Sequence, residues 1–295
     1  VLMLNIIDAH NHCSEFSPDA SQPLANRLVE AEALGLGGLV ITDHFDKRIN
    51  ETIYQEDFQV IDLEPLQGEW TFHFPTYMNR MTQEQARIAR ENKAFKLLIG
   101  VELGYHPALA KAFKQCVEYY AQLDSIIGSV HNLRYKGFSS IRELYKRGKT
   151  FAYALYLEAL AEMVEDMPFI NVLGHFDYIA RYNHFTDKKL LYKDFPDAFD
   201  HLFHKIIERD IALEINTSSQ RQRDEDGKPL GLIDVEILSR YMELGGDKIV
   251  LSSDAHHEGK VGLDFYENVM QLEALGCTQL TYFEKRKPYF TPINT

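Results

Sequence analysis

A chain of 295 residues, 45% apolar and 25% charged, is long enough to bury one large core and has an ordinary globular composition. Its net charge of -13 excludes a contiguous phosphate-binding footprint for nucleic acid, although metals and a few arginines can reverse that field around a small phosphorylated ligand. No apolar run approaches the roughly 18 residues that span a bilayer, and Cys13, Cys116 and Cys277 form no paired motif, which favours a reducing cytoplasm over a disulfide framework.

The first four residues, Val-Leu-Met-Leu, have no basic flank and run straight into Asp8 and His10, so they read as the approach to a first strand at 4–7 and not as a signal peptide. A helical period covers 23–34, and a β-branched run at 38–42 is the second strand. The long connection 45–81 holds too many aromatics, among them Trp70, Phe74 and Tyr77, for a merely solvated loop. A helix at 82–95 leads to a strand at 97–101, a helix at 107–122 and a strand at 125–130. The connection 133–150 is basic, with Arg134, Lys136, Arg142, Lys146, Arg147 and Lys149. Long ordered loops of this kind commonly wall or cover a pocket. Then come a helix at 153–165, a strand at 169–173, a helix at 195–208, a strand at 211–215, a helix at 233–244, a strand at 248–252 and a helix at 264–275. The Tyr- and Phe-containing tail at 278–290 is left for an edge strand or a plug.

Continuous apolar strands alternating with amphipathic helices imply a parallel sheet covered by helices. Seven β-α units without a G-x-G-x-x-G after the first strand favour a barrel over a dinucleotide fold. Closure has a chemical consequence, because the C-terminal strand ends of a barrel meet on one face. Six stretches put His or a carboxylate at such ends: Asp8-Ala-His10-Asn-His12, Thr42-Asp43-His44, Gly100-Val-Glu102, Ser129-Val-His131, Gly174-His175-Phe-Asp177 and Ser253-Asp254-Ala-His256. Alternation puts His10 and His12 on one face of a strand, the spacing for two ligands to one ion. Histidine with carboxylate and without clustered cysteine suits zinc, manganese or iron. The chain reads as a hydrolase with more than one metal. His73, His106, His184, His201, His204 and His257 fit no strand end and read as surface or structural residues.

From Asp8-x-His10-x-His12 to Ser253-Asp254-x-His256 the chain resembles, in order and over nearly its whole length, the polymerase and histidinol phosphatase (PHP) family. Gly174-His175-Phe-Asp177-x-x-x-Arg181 and Leu213-Glu-Ile-Asn216-Thr-Ser-x-x-Arg221 make it most similar to the stand-alone histidinol-phosphate phosphatases. The resemblance implies a single α/β domain over 1–295, a distorted (β/α)7 TIM-like barrel with 45–81 as a lid or insertion, and two or three divalent metals. It implies one metal at His10, His12, Glu102 and Asp254, and a second at Glu102, His131 and His175. The third takes His44, His256 and a residue soon after His12. Where some relatives place a histidine, this chain offers Asp19, with Glu15 its rival.

Arg181 and Arg221, with Arg223 beside the latter, are expected to clamp phosphate. Asp8, Asp43 and Asp177 are expected to orient neighbouring ligand histidines. The implied reaction is hydrolysis of L-histidinol phosphate through a metal-bridging hydroxide, as in histidine biosynthesis. Glu51, Glu56, Asp57, Glu69, Trp70 and Phe74 of the insertion are expected at the substrate's cationic end. The alternatives are another small phosphomonoester or phosphotyrosine, and a non-catalytic metal-binding accessory domain. No nucleic-acid or membrane partner is expected, and the sequence is silent on oligomeric state.

Overall fold

The computed structural model describes residues 5–45, 73–91, 94–223 and 227–293. Strands β1 (Ile7–Asn11), β2 (Gly38–Ile41), β4 (Lys96–Gly104), β5 (Ser125–Ser129), β6 (Val172–Leu173), β7 (Ala212–Asn216) and β8 (Ile249–Ser252) lie side by side in that order. The two-residue β3 (His44–Phe45) joins the upper part of β4, and every pairing is parallel. The sheet curls until its ends meet: Asp254 N donates to His10 O at 3.0 Å and His12 N to Ala255 O at 3.1 Å. This is the expected distorted seven-stranded barrel, with β3 as an addition. Its seam is made by the residues just past β8, at the mouth.

Strand by strand, the interior is filled by Ile7 and Ala9, Val40, Leu98, Ile127, Val172, Ala212 and Val250, a small apolar cluster separate from the larger core under the helices. The tail forms the antiparallel hairpin β9 (Gln279–Glu284) and β10 (Lys287–Pro292). Its Tyr282 and Phe283 join the interior cluster, so the hairpin plugs the barrel. Helices α1 (Leu24–Ala33), α2 (Phe74–Glu91), α3 (Ala110–Tyr119), α5 (Lys149–Asp166), α6 (Pro196–Glu208), α8 (Val235–Glu243) and α9 (Phe265–Ala274) cover the strands, with the short α4 (Ile141–Leu144) and α7 (Thr217–Gln220) in the connections.

Two elements depart from the sequence pattern. The first strand is Ile7–Asn11, beyond 4–7, because its polar residues Asp8, His10 and Asn11 are fully buried partners of other strand ends. Helix α2 begins at Phe74, well before 82, and buries Phe74, Tyr77, Met78, Met81 and Ile88 on one face. Pro75 falls in its first turn, where a missing N–H costs nothing. Phe74 stacks on Tyr120 with ring centroids 4.8 Å apart, and the Tyr77 hydroxyl donates to Ile41 O and Gly100 O at 2.9 and 2.6 Å. These two aromatics of the 45–81 connection therefore serve the core, and Phe74 is not a wall of the substrate cavity. Glu51, Glu56, Asp57, Glu69 and Trp70 lie outside the described residues.

Candidate metal centre

At the mouth the strands deliver their polar ends to one point. The β1 register shifts between Asp8 and Asn11, and His10 and His12 are both fully buried. Glu102 on β4 stands directly opposite His44 on β3 in the pairing register. His131 follows β5, and His175 follows β6 after Gly174. A Cβ at Gly174 would come within 2.5 Å of Ser129 Oγ, so the approach of β6 to β5 requires glycine there. Past β8, Asp254 takes φ of 50°, a left-handed conformation that aspartate tolerates better than most residues.

Glu102 is the hub. Its Oε1 lies 2.8 Å from His175 Nε2 and 3.1 Å from His131 Nε2, and its Oε2 lies 2.6 Å from His44 Nδ1, 3.5 Å from His10 Nε2 and 3.7 Å from His12 Nε2. Asp254 Oδ1 is 3.2 Å from His12 Nε2 and 3.7 Å from His10 Nε2. Asp19 reaches His44 at 3.6 Å and His256 at 3.9 Å. Glu15, its rival, instead accepts from Leu24 N with both oxygens at 3.1 Å, at the start of α1. The structure thus brings together His10, His12, Asp19, His44, Glu102, His131, His175, Asp254 and His256. Two details depart from the implied partition: His12 also lies in a group with His44 and His256, and His44 in a group with Glu102 and His131.

Three further observations suit metal ions at this point. His131 and His175 present Nε2 to Nε2 at 3.2 Å, and His44 and His256 do so at 3.3 Å. Two nitrogens each about 2.0–2.1 Å from one tetrahedral ion stand roughly 3.3 Å apart. His10 Nε2, His12 Nε2 and Glu102 Oε2 are buried close to one another's partners but without a well-aligned hydrogen bond, an expense relieved by a shared cation. Burial opposes the charge on Glu102, but His131, His44 and His10 outweigh it and hold the carboxyl well below its ordinary range. Burial, with His256 and His44 nearby, keeps His12 far below the usual imidazole value, in the neutral form that ligates.

The carboxylates beside the histidines do other work than expected. Asp8 accepts from Ser253 N, Ser253 Oγ and Gly262 N at 2.9, 2.5 and 3.1 Å, and so pins the segment carrying Asp254. Asp43 accepts from Cys13 N, Cys13 Sγ and Ser17 Oγ at 2.8, 2.9 and 2.6 Å, fixing the loop that follows His12. Asp43 does not line the cavity, and its contacts with Cys13 and Ser17 fit a positioning role rather than the catalytic one expected. Asp177 faces Arg181 and Ser219; burial lifts its carboxyl to about 6 against the pull of Arg181. The residue that orients a ligand ring is Glu214: its Oε1 meets His10 Nδ1 at 2.8 Å and Ser252 Oγ at 2.5 Å, and its Oε2 accepts from His175 N. Sequence reasoning missed Glu214. Alternation on β7 held the cue, since Ala212 faces the barrel interior and Glu214 follows two residues later.

A cavity of about 1010 Å³ opens over the histidines. Arg181 lines it, donating from Nε to Ser219 Oγ at 2.8 Å and from Nη2 to Asn216 Oδ1 and Asp254 Oδ2, both at 3.1 Å. Arg221 is a correction to the expected clamp. Its guanidinium donates to Thr217 Oγ1 at 2.9 Å and Ser253 O at 3.0 Å, lies 3.6 Å from Asp264, and does not line the cavity. Arg223 donates to Gly227 O at 2.5 Å and is exposed.

The PHP domain family matches residues 8–218. The protein belongs to that family. Two similar proteins are a probable histidinol-phosphatase of Clostridium acetobutylicum, 26% identical over 95% of this chain and 98% of its own, and a histidinol-phosphatase of Lactococcus lactis, 26% identical over 95% of each. Among solved structures, the histidinol phosphate phosphatase of Lactococcus lactis, complexed with zinc, L-histidinol and phosphate, aligns over 97% of this chain and 99% of its own with TM-score 0.77 and 25% identity. A solved structure from Listeria monocytogenes shares the fold with TM-score 0.69 at 20% identity, over 88% of this chain and 99% of its own. No helix among the described residues is long and apolar enough to cross a membrane.

Proposed function

We propose that the protein hydrolyses L-histidinol phosphate to L-histidinol and phosphate, with divalent metals held by His10, His12, Asp19, His44, Glu102, His131, His175, Asp254 and His256. The observation that carries this reading is one buried carboxylate, Glu102, ringed by histidines from four strand ends, of which His44, His131 and His175 line the same cavity as Arg181. The Lactococcus lactis structure, with zinc, L-histidinol and phosphate on the same fold, supports the substrate. Bound there, divalent cations supply an acidified water and neutralise charge on the attacked phosphoryl group.

The chain's own residues do the positioning. Arg181, anchored by Ser219 and Asn216, holds Asp254 by one nitrogen and is the residue placed to meet a phosphate oxygen. Glu214 fixes the His10 ring and Asp8 the approach to Asp254. Overall, a water oxygen replaces the histidinol oxygen at phosphorus, and the released alcohol takes up a proton.

In this reading, residues 1–295 form one barrel domain in the cytoplasm. The 45–81 connection leaves the barrel at Phe45, next to His44. Phosphate release should be measured on metal-loaded protein with L-histidinol phosphate and p-nitrophenyl phosphate. Turnover of the second alone moves the assignment to another phosphomonoester. Turnover of neither makes the domain a non-catalytic metal binder.

A further inference from the structure

The cavity has a second cationic wall, outside the histidine cluster. The segment after β5 is anchored by Leu133, Ile141 and Leu144, all buried, and between these anchors it presents Arg134 and Arg142 to the cavity. Both side chains are exposed. Other cations of the same connection are spent on carboxylates: Lys136 on Glu158 and Glu162, Lys149 on Asp187 and Asp194. Among the described residues neither Arg134 nor Arg142 has an acidic partner. The Arg142 guanidinium lies over the Tyr182 ring, its carbon 5.8 Å from the centroid, a cation–π contact that uses the guanidinium face and leaves its in-plane N–H donors to a ligand. The carboxylates that line the same cavity are committed elsewhere, Asp254 to Arg181 and His12, and Asp19 beside His44 and His256.

Resting on the functional reading above, we infer that Arg134 and Arg142 form an outer anion subsite, which receives the phosphate of the incoming monoester and holds inorganic phosphate as it leaves. The reason is electrostatic. A chain of net charge -13 repels a phosphate dianion at long range. Two guanidinium groups without an acidic partner among the described residues, at the cavity wall, reverse that field locally where the ligand must pass. Guanidinium also matches phosphate oxygens with paired donors, which an ammonium does not. The subsite acts before and after the chemical step, so it sets capture and release and leaves the bond-breaking step alone.

The test uses the metal-loaded protein and its Arg134→Gln/Arg142→Gln double variant, which keeps most of the side-chain stem. At low ionic strength the variant should lose about tenfold in kcat/KM for a phosphate monoester with kcat nearly unchanged, and its kcat/KM should depend less steeply on salt. Titration with inorganic phosphate should show two binding classes in the native protein and one in the variant, with metal content equal in both. Arg134→Lys/Arg142→Lys should restore the salt dependence in part. Native phosphate stoichiometry and native salt dependence in the Gln variant overturn the inference. An arginine-dependent phosphate site in a protein that hydrolyses no monoester would leave the subsite standing and remove the catalytic reading instead.

Discussion

Two buried glutamates do opposite jobs within one cluster. Glu102 offers both oxygens to histidines on different sides, the behaviour of a bridging ligand, whereas Glu214 spends its oxygens on a ring nitrogen, a hydroxyl and a backbone amide. Removing Glu102 should therefore abolish metal binding. Glu214→Gln should leave the fold intact but weaken metal affinity about 10–100-fold, as loss of a partner that orients a ligand does. Competition with a chelator measures the difference, and native affinity in Glu214→Gln would make its contact with His10 incidental. The two arginines separate in the same way. Arg181→Ala should cost about 2–4 kcal/mol of transition-state stabilisation, the usual loss for a donor aimed at developing charge. Arg221→Ala should cost much less, because it reaches the site only through the Ser253 carbonyl. Equal losses in kcat/KM would restore Arg221 to the clamp. Motif spacing picked out the histidines that gather around Glu102, but it did not say which neighbouring carboxylate would face a ring and which would face backbone.

At the scale of elements, the hairpin of β9 and β10 closes the barrel on the side away from the metals. Phe283 is 2% exposed and belongs to the interior cluster to which all seven strands of the barrel path contribute. Phe283→Ala should cost about 3–5 kcal/mol, the usual range for a buried phenylalanine. A urea midpoint like that of the native protein would mean the hairpin is dispensable. On the outer surface, Asp200 on α6 accepts from Arg240 Nε and Nη2 of α8 at 3.0 and 2.7 Å and from Tyr192 Oη at 2.9 Å. Chiefly through Arg240, these donors hold Asp200 below the ordinary aspartate value. A carboxyl lowered on folding adds stability above its unfolded pKa and loses it as pH falls through the folded one. Asp200→Asn should thus be less stable than the native protein at neutral pH, and the gap should close below about pH 4. A gap that persists in acid would assign the effect to packing. Helix α2 shows where the pattern was hard to read: its first turns are aromatic, and Phe74, which looks like part of a lid in sequence, is core once it meets Phe45 edge-on and stacks on Tyr120.

For the whole molecule, the metal centre doubles as the seam of the barrel. The candidate ligands His10, His12 and Asp254 are among the residues that exchange the closing backbone hydrogen bonds. Metal binding should therefore stabilise the fold as well as activate it, by about 2.7 kcal/mol when free metal stands a hundredfold above its dissociation constant. Chelation should lower the Tm and abolish phosphatase activity, and zinc or manganese should restore both. A chelated sample shown to be metal-free that keeps its Tm and its activity would defeat the metal assignment.

The order of strands and helices, the barrel, and the His and carboxylate positions at strand ends were all legible in the linear chain. Each is set by local patterning: β-branched runs, helical spacing, and a polar side chain where an apolar run stops. Tertiary structure alone decided that Glu214 and not Asp8 or Asp43 orients a ligand ring, that Arg181 reaches the cavity while Arg221 does not, and that Asp19 takes the place Glu15 might have filled. These outcomes depend on the direction a side chain takes across two or three neighbouring strands, and a bulge in β1 or a left-handed residue at Asp254 changes that direction without leaving a mark in the sequence.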